Sequence, residues 1–171
     1  MPAWGIVEKE FSESFIYYRP KDIVAGDFYF FEQYNGHIFI AAADCTGHGV
    51  PGALVSVVCS NALTRCVKEF GLKDPGKILD KTRELVVETF SKSSHEVKDG
   101  MDISLIVIDK STNILQWSGA NNSLYYSENG EIKEVQPDKQ PIGISDIKKP
   151  FSSHEIGAQD KTFYLLTDGY S

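Results

Sequence analysis

The order in which two hydrophobic periodicities follow one another does most to limit what this chain can fold into. Aromatic and β-branched runs come first, at 28–31 and 37–43, with Asn35-Gly36 between them. An Asn-Gly pair flanked by apolar runs is a strong hairpin signal, because both residues tolerate the positive φ of a type I′ turn. The period then changes. Pro51 opens a helical stretch to about Phe70, where Leu54, Val58, Ala62 and Cys66 recur every four residues beside Val55 and Leu63, and Gly71 ends it. A second helical stretch runs from about Pro75 to Ser91, with Asp74 placed to cap it and Ile78, Leu79, Leu85, Val86 and Phe90 facing inward. The chain then returns to short strand-like runs at 103–108, 114–117, 124–126, 131–135 and 162–166, and 15–18 near its start reads the same way. Strands, two consecutive helices, then strands again is not a βαβ alternation. It predicts an α+β fold, with mainly antiparallel sheets covered by paired helices.

The 171 residues, 42% of them hydrophobic, suit one domain with a sizeable core, and no repeat or Pro/Gly/Ser-rich linker divides them. Residues 1–14 read as a lead-in or linker from an upstream module, and 15–171 as the domain. No run approaches about 18 consecutive apolar residues, so no membrane span is expected. The N-terminus lacks the basic-then-apolar layout of a signal peptide. A net charge of −7 argues against nucleic acid as a partner, which would call for clustered Lys and Arg. Cys45, Cys59 and Cys66 form no CxxC pair and read as reduced thiols of a cytoplasmic protein.

Three aspartates share a context. Asp44 ends the apolar run 38–43 and enters Cys-Thr-Gly-His-Gly; Asp168 ends 163–167 and precedes Gly169; Asp27 follows Gly26 and begins an aromatic run. Carboxylates at strand ends beside glycine can converge on one point without being buried unpaired. Such hard oxygen donors suit Mg²⁺ or Mn²⁺ better than zinc or copper, and two ions about 4 Å apart can activate a water toward phosphorus. An aspartate beside glycine serves equally well as a turn residue, so the residues alone reach only an acidic metal site. His48 in the glycine loop and Arg19 upstream of Asp27 are candidates to contact a substrate phosphate, with packing or a surface ion pair as their ordinary alternatives. Asn121 and Asn122 read as turn residues. No Ser/His/Asp or Cys/His set is legible, which argues against covalent catalysis.

The run Tyr18-Arg-Pro-Lys-Asp-Ile-Val-Ala-Gly-Asp-Phe-Tyr, the loop Ala43-Asp-Cys-Thr-Gly-His-Gly-Val-Pro-Gly-Ala-Leu and the terminal Leu165-Leu-Thr-Asp-Gly-Tyr-Ser resemble the sporulation and sigma-regulator (SpoIIE/RsbU-like) branch of the PPM serine/threonine phosphatases. The match covers nearly everything from Phe15 onward, and the stretches Ser118-Gly-Ala-Asn-Asn-Ser-Leu-Tyr and Lys139-Gln-Pro-Ile-Gly look like the same branch. The resemblance implies an αββα sandwich with its metal site between the two sheets at one end. Asp44 would bridge two Mn²⁺ or Mg²⁺ ions, the backbone carbonyl of Cys45 would add a ligand, Asp27 would join the cluster and Asp168 would bind its second side. The Asp99-Gly100-Met101 turn resembles the position that holds a weaker third ion in bacterial relatives, with Asp102 close beside it. The family continues to a final Asp-Asp or Asp-Asn motif beyond Ser171, so the resemblance is to a domain lacking its last segment.

The expected function is hydrolysis of phosphoserine or phosphothreonine on a regulatory protein of the anti-sigma-factor antagonist type, by direct attack of metal-activated water. An upstream sensor domain is the expected neighbour, and the assembly state is left open, a homodimer included. The alternative is a non-catalytic phosphatase-like interaction module with poor or regulated metal occupancy.

Overall fold

The computed structural model describes residues 4–20, 23–91, 99–146 and 148–170. A short helix α1 (Trp4–Glu10) precedes a hairpin of β1 (Phe28–Tyr34) and β2 (His37–Cys45), then helices α2 (Gly49–Lys68) and α3 (Pro75–Ser91). Six strands follow: β3 (Met101–Asp109), β4 (Leu115–Ala120), β5 (Leu124–Glu128), β6 (Glu131–Val135), β7 (His154–Ile156) and β8 (Thr162–Leu165), with a 3₁₀ turn at Asp168–Tyr170. Two antiparallel sheets result, ordered β1-β2-β3-β4-β7 and β6-β5-β8. The hairpin turns take the left-handed φ that their sequence calls for: 47° and 78° at Asn35-Gly36, 54° and 81° at Asn129-Gly130.

One face of the five-stranded sheet is covered by α2 and α3. Phe39, Ala43, Ile103 and Leu105 from the strands meet Cys59, Leu63, Val67, Ile78, Leu79 and Val86 from the helices, all nearly inaccessible to solvent. The opposite face carries Ile106, Leu115 and Trp117, which pack with Leu124, Phe163 and Leu165 of the three-stranded sheet. Trp117 donates its indole N–H to Ser104 Oγ at 2.8 Å, so its one polar atom is paired in that dry interior. The fold is thus α+β, two antiparallel sheets with a helix pair over the larger one. Asp74 caps α3, its Oδ1 accepting the Lys77 N–H at 2.9 Å. All three cysteines are free and buried.

Three sequence expectations need correction. Residues 15–18 form no strand: Phe15 is 80% and Tyr17 68% exposed, no strand pairs with them, and Ile16 rests on the Val7–Phe31–Ile38 cluster that also anchors α1. The buried stripe of α2 is Gly52, Val55, Cys59, Ala62, Leu63, Cys66 and Val67, whereas Leu54 is 65% exposed and Val58 only half-buried. Small side chains on that stripe let the helix sit close to the sheet, and this selects it over the equally apolar 54/58 face. The three-residue β7 carries no periodic signal and was not expected. Among the described residues α2 is also long and apolar enough to cross a membrane by length and composition, with a mean hydropathy of 1.4. It packs instead against β1, β2 and α3, as the core helix of a globular domain does.

Candidate active site

The strand registers place the acidic residues. Phe28 pairs with Ala43, which brings Asp27 level with Asp44 at the end of the sheet. Because side chains alternate across a strand, Asp44 lies on the same face as Ile40, whose partner Ile106 packs against the second sheet. Asp168 arrives from that second sheet, opening the 3₁₀ turn just after β8. The contact is direct: Thr167 donates from Oγ1 to Asp27 Oδ2 at 3.4 Å, and Tyr18 Oη donates to the Asp27 carbonyl at 3.0 Å.

The loop after β2 is fixed by close backbone packing. A Cβ on Gly26 would lie 2.7 Å from the Cys45 carbonyl oxygen and 2.8 Å from that of Gly47, and one on Gly52 would lie 2.4 Å from Gly47 O. Only glycine permits this approach. Thr46 donates its N–H to Gly100 O at 3.0 Å and accepts the Gly100 N–H at 3.2 Å, tying the same loop to the start of β3.

Asp27, Asp44 and Asp168 are brought together, and the electrostatics register it. Burial, hydrogen-bonding reach to Asp27 and Asp168, and their charges push the Asp44 carboxyl up to about 8. Three carboxyl groups this close cannot all be charged unless a cation stands among them. Among the described residues no three His, Cys, Asp or Glu side chains already form a ready-made cage. The donor set, hard carboxylate oxygens at half-exposed strand ends, fits Mg²⁺ or Mn²⁺.

The other expected residues are placed less centrally. The Cys45 carbonyl oxygen faces Gly26, next to the cluster, while its thiol is pushed far up by its hydrogen bond with Cys59 and by burial, which suits packing and not nucleophilic attack. Asp99 precedes the Gly100 that binds Thr46, yet among the described residues its own carboxylate meets no hydrogen-bond or ion-pair partner. His48 stands at the N-cap of α2 with extended backbone and no side-chain capping bond, exposed. Arg19 is exposed beside Tyr18. Sequence reasoning named Asp102 only as a neighbour of the third-ion turn at Asp99-Gly100-Met101. Asp102 pairs directly with Asp44, and Asn121 Nδ2 donates to its Oδ1 at 2.8 Å. The signal that could have found it is the β2–β3 register, which single-sequence patterns do not supply.

The family model of stage II sporulation protein E (SpoIIE) matches residues 34–171. Among solved structures, the SiaA-PP2C domain of Pseudomonas aeruginosa is 33% identical, with a TM-score of 0.78 over 91% of this chain and 61% of that one. The PP2C phosphatase domain of SpoIIE from Bacillus subtilis (18% identity, TM-score 0.64, 86% of this chain and 42% of that one) and RsbX in complex with magnesium (17%, 0.64, 88% and 70%) share the fold. The chain therefore spans less than two thirds of the SiaA structure it resembles. A comparison with curated proteins finds no match. With more than half of its length matched by the family model, and its sheets and helices arranged as in these PP2C domains, the chain belongs to the SpoIIE family of PPM-type phosphatase domains.

Proposed function

We propose that this chain is the core of a metal-dependent protein serine/threonine phosphatase. The observation that carries the reading is the meeting of Asp27 and Asp44 from one sheet with Asp168 from the other, close enough to hold the Asp44 proton up to about 8. In this reading Asp27, Asp44 and Asp168, with the Cys45 carbonyl, hold two Mn²⁺ or Mg²⁺ ions, and Asp99 serves a weaker third. Bound there, the cations supply the positive charge that activates water and neutralises the transferring phosphoryl group. Asp44 gives up its proton on loading. Arg19 and His48, exposed at the rim, receive the phosphate oxygens of the substrate. One water is consumed, and the serine or threonine hydroxyl leaves with a proton. The thiols are buried and Cys45 is held protonated, which supports direct hydrolysis over a covalent route.

The substrate in this reading is a phosphorylated regulatory protein of the anti-sigma-factor antagonist type, in the cytoplasm, with an upstream sensor domain setting activity. Its support is the company of structures of similar fold, which include one of the RsbU and RsbW domains of a Mycobacterium tuberculosis protein and one described under the bacterial stressosome as a modular system that controls secondary messenger signalling. The test is Mn²⁺-dependent phosphate release from a phosphoserine protein and from p-nitrophenyl phosphate. Release by the wild type that Asp44→Asn abolishes supports the reading. The second reading, a phosphatase-like interaction module, draws on the absence of a ready-made cage among the described residues. Mn²⁺ binding without cleavage of either substrate would favour it.

A further inference from the structure

We propose that Tyr18 is a positioning residue of the candidate site, its hydroxyl holding the backbone of Asp27 in place; the inference rests on the metallophosphatase reading above. The chain leaving α1 runs back along β1, and its contacts descend that strand in order. Glu10 accepts a side-chain N–H of Gln33 at 2.8 Å and forms an ion pair with Lys110 at 2.6 Å. Phe11 meets Phe31 edge to face, with ring centroids 6.5 Å apart. Tyr18 meets Tyr29 in the same way at 6.1 Å, and its Oη donates to the Asp27 carbonyl at 3.0 Å. Side chains alternate along a strand, so positions 33, 31, 29 and 27 share one face. The lead-in is thus a strap laid along β1. It starts at Gln33, the end of the hairpin remote from Asp44, and finishes at Asp27.

The strap is set by its own sequence. Burial alternates along it: Phe15 and Tyr17 point to solvent, while Ile16 rests on the Val7–Phe31–Ile38 cluster and Tyr18 is half-buried. A period of two is what turns every second side chain of an extended segment inward. The anchors at Glu10, Phe11 and Ile16 therefore bring Tyr18 to the start of β1. There the Asp27 carbonyl lies one residue ahead of the ladder that begins with Phe28 and Ala43. Among the described residues no backbone N–H outside the strands is bonded to it, and Tyr18 supplies a partner.

Three neighbours then locate Asp27. Gly26 abuts the carbonyls of Cys45 and Gly47, Thr167 reaches the Asp27 carboxylate from the second sheet, and Tyr18 holds the Asp27 carbonyl. The first two bring Asp27 to the Asp44 loop and to the segment of Asp168. The third fixes how the peptide after Asp27 is turned, and with it the direction in which the side chain leaves the backbone. A functional carboxylate works only when held within about 0.5 Å of its productive place, and partners that orient it from outside contribute to that. A role confined to packing would need only the ring, since phenylalanine fills the same space against Tyr29.

The experiment is Mn²⁺ titration by calorimetry, with thermal melts and amide hydrogen exchange of the metal-free proteins, for the wild type, Tyr18→Phe, Val67→Ala and Asp44→Asn. Tyr18→Phe removes the hydroxyl and keeps the ring. Val67→Ala, at a buried position near the far end of α2, lowers stability away from the strap and the acidic cluster. Tyr18→Phe is expected to weaken Mn²⁺ by about tenfold, to lower the metal-free melting temperature by only about 2–4 °C, and to speed exchange at residues 26–29 while the rest of β1 stays protected. Val67→Ala is expected to melt lower and to bind Mn²⁺ as the wild type does. Wild-type affinity in Tyr18→Phe, with binding lost in Asp44→Asn, would overturn this inference and leave the metallophosphatase reading standing. Equal losses of affinity in Tyr18→Phe and Val67→Ala would overturn it too, because binding would then follow stability alone. A wild type that binds no Mn²⁺ would overturn both.

Discussion

Asp44 concentrates the account into one side chain. Its carboxyl is raised because burial and two neighbouring carboxylates all disfavour its charge. A carboxyl whose folded value lies above its unfolded value of about 3.9 binds its proton more tightly in the native state. The resulting stabilisation is fully present below pH 4, declines as pH rises, and is gone above about 8. Metal-free protein should therefore lose thermal stability between pH 5 and pH 8 more steeply than Asp44→Asn does, as melting curves at several pH values would show; parallel curves would contradict it. A second residue-scale prediction concerns Gly52. A Cβ there would stand 2.4 Å from the Gly47 carbonyl oxygen, backbone against backbone. Gly52→Ala should destabilise by about 1–3 kcal/mol and weaken Mn²⁺ binding by displacing the Asp44 loop, both readable in one set of melts with and without the ion.

At the scale of elements, the sequence was informative where signals were long and unambiguous. Pro75–Ser91 and Glu131–Val135 match the expected boundaries because a capping aspartate and a turn Asn-Gly mark their ends. The face of α2 was misread because two apolar stripes overlap on one helix, and only packing against the sheet chooses between them. This yields a contrast: Leu54→Ala should change stability by no more than about 0.5 kcal/mol, whereas Leu63→Ala, fully buried, should cost about 2–5 kcal/mol. Equal effects in denaturant unfolding would show that the helix is turned otherwise. A second device, invisible to pattern reading, joins α3 to the segment after β6. Arg83 donates to Gln140 Oε1 at 3.0 Å, Asp80 Oδ1 at 2.9 Å and the Lys149 carbonyl at 3.0 Å, with its guanidinium 4.8 Å from the Phe151 ring centroid. Gln140 is itself buried and donates to the same Lys149 carbonyl at 2.8 Å. Arg83→Ala would take one donor from each of these acceptors, which keep Gln140 Nε2, the Lys149 N–H and the Phe151 N–H as their remaining partners, and a loss of about 1–3 kcal/mol in unfolding free energy is expected; a neutral result would mean that water replaces the clamp without cost.

For the whole molecule, the candidate site exists only where two sheets meet. Asp27 and Asp44 belong to one sheet and Asp168 to the end of the other, so the carboxylates come together only once the sandwich has formed. The three were legible in the sequence from their glycine neighbours and from the family resemblance. Asp102 was legible only as a neighbour of the third-ion turn; its pairing with Asp44 depends on strand register, which the chain specifies only through the completed sheet. A cation that binds the folded state alone must stabilise it by mass action, about 2.7 kcal/mol at a hundred times its dissociation constant, so Mn²⁺ should raise the melting temperature of the wild type and not of Asp44→Asn. The most direct test of the central claim, that these carboxylates close around a divalent cation in place of a proton, is Mn²⁺ titration at pH 7 in two buffers of different ionisation enthalpy. The account predicts binding with release of about one proton per protein, both lost in Asp44→Asn. Binding without proton release, or binding that Asp44→Asn leaves unchanged, would contradict it.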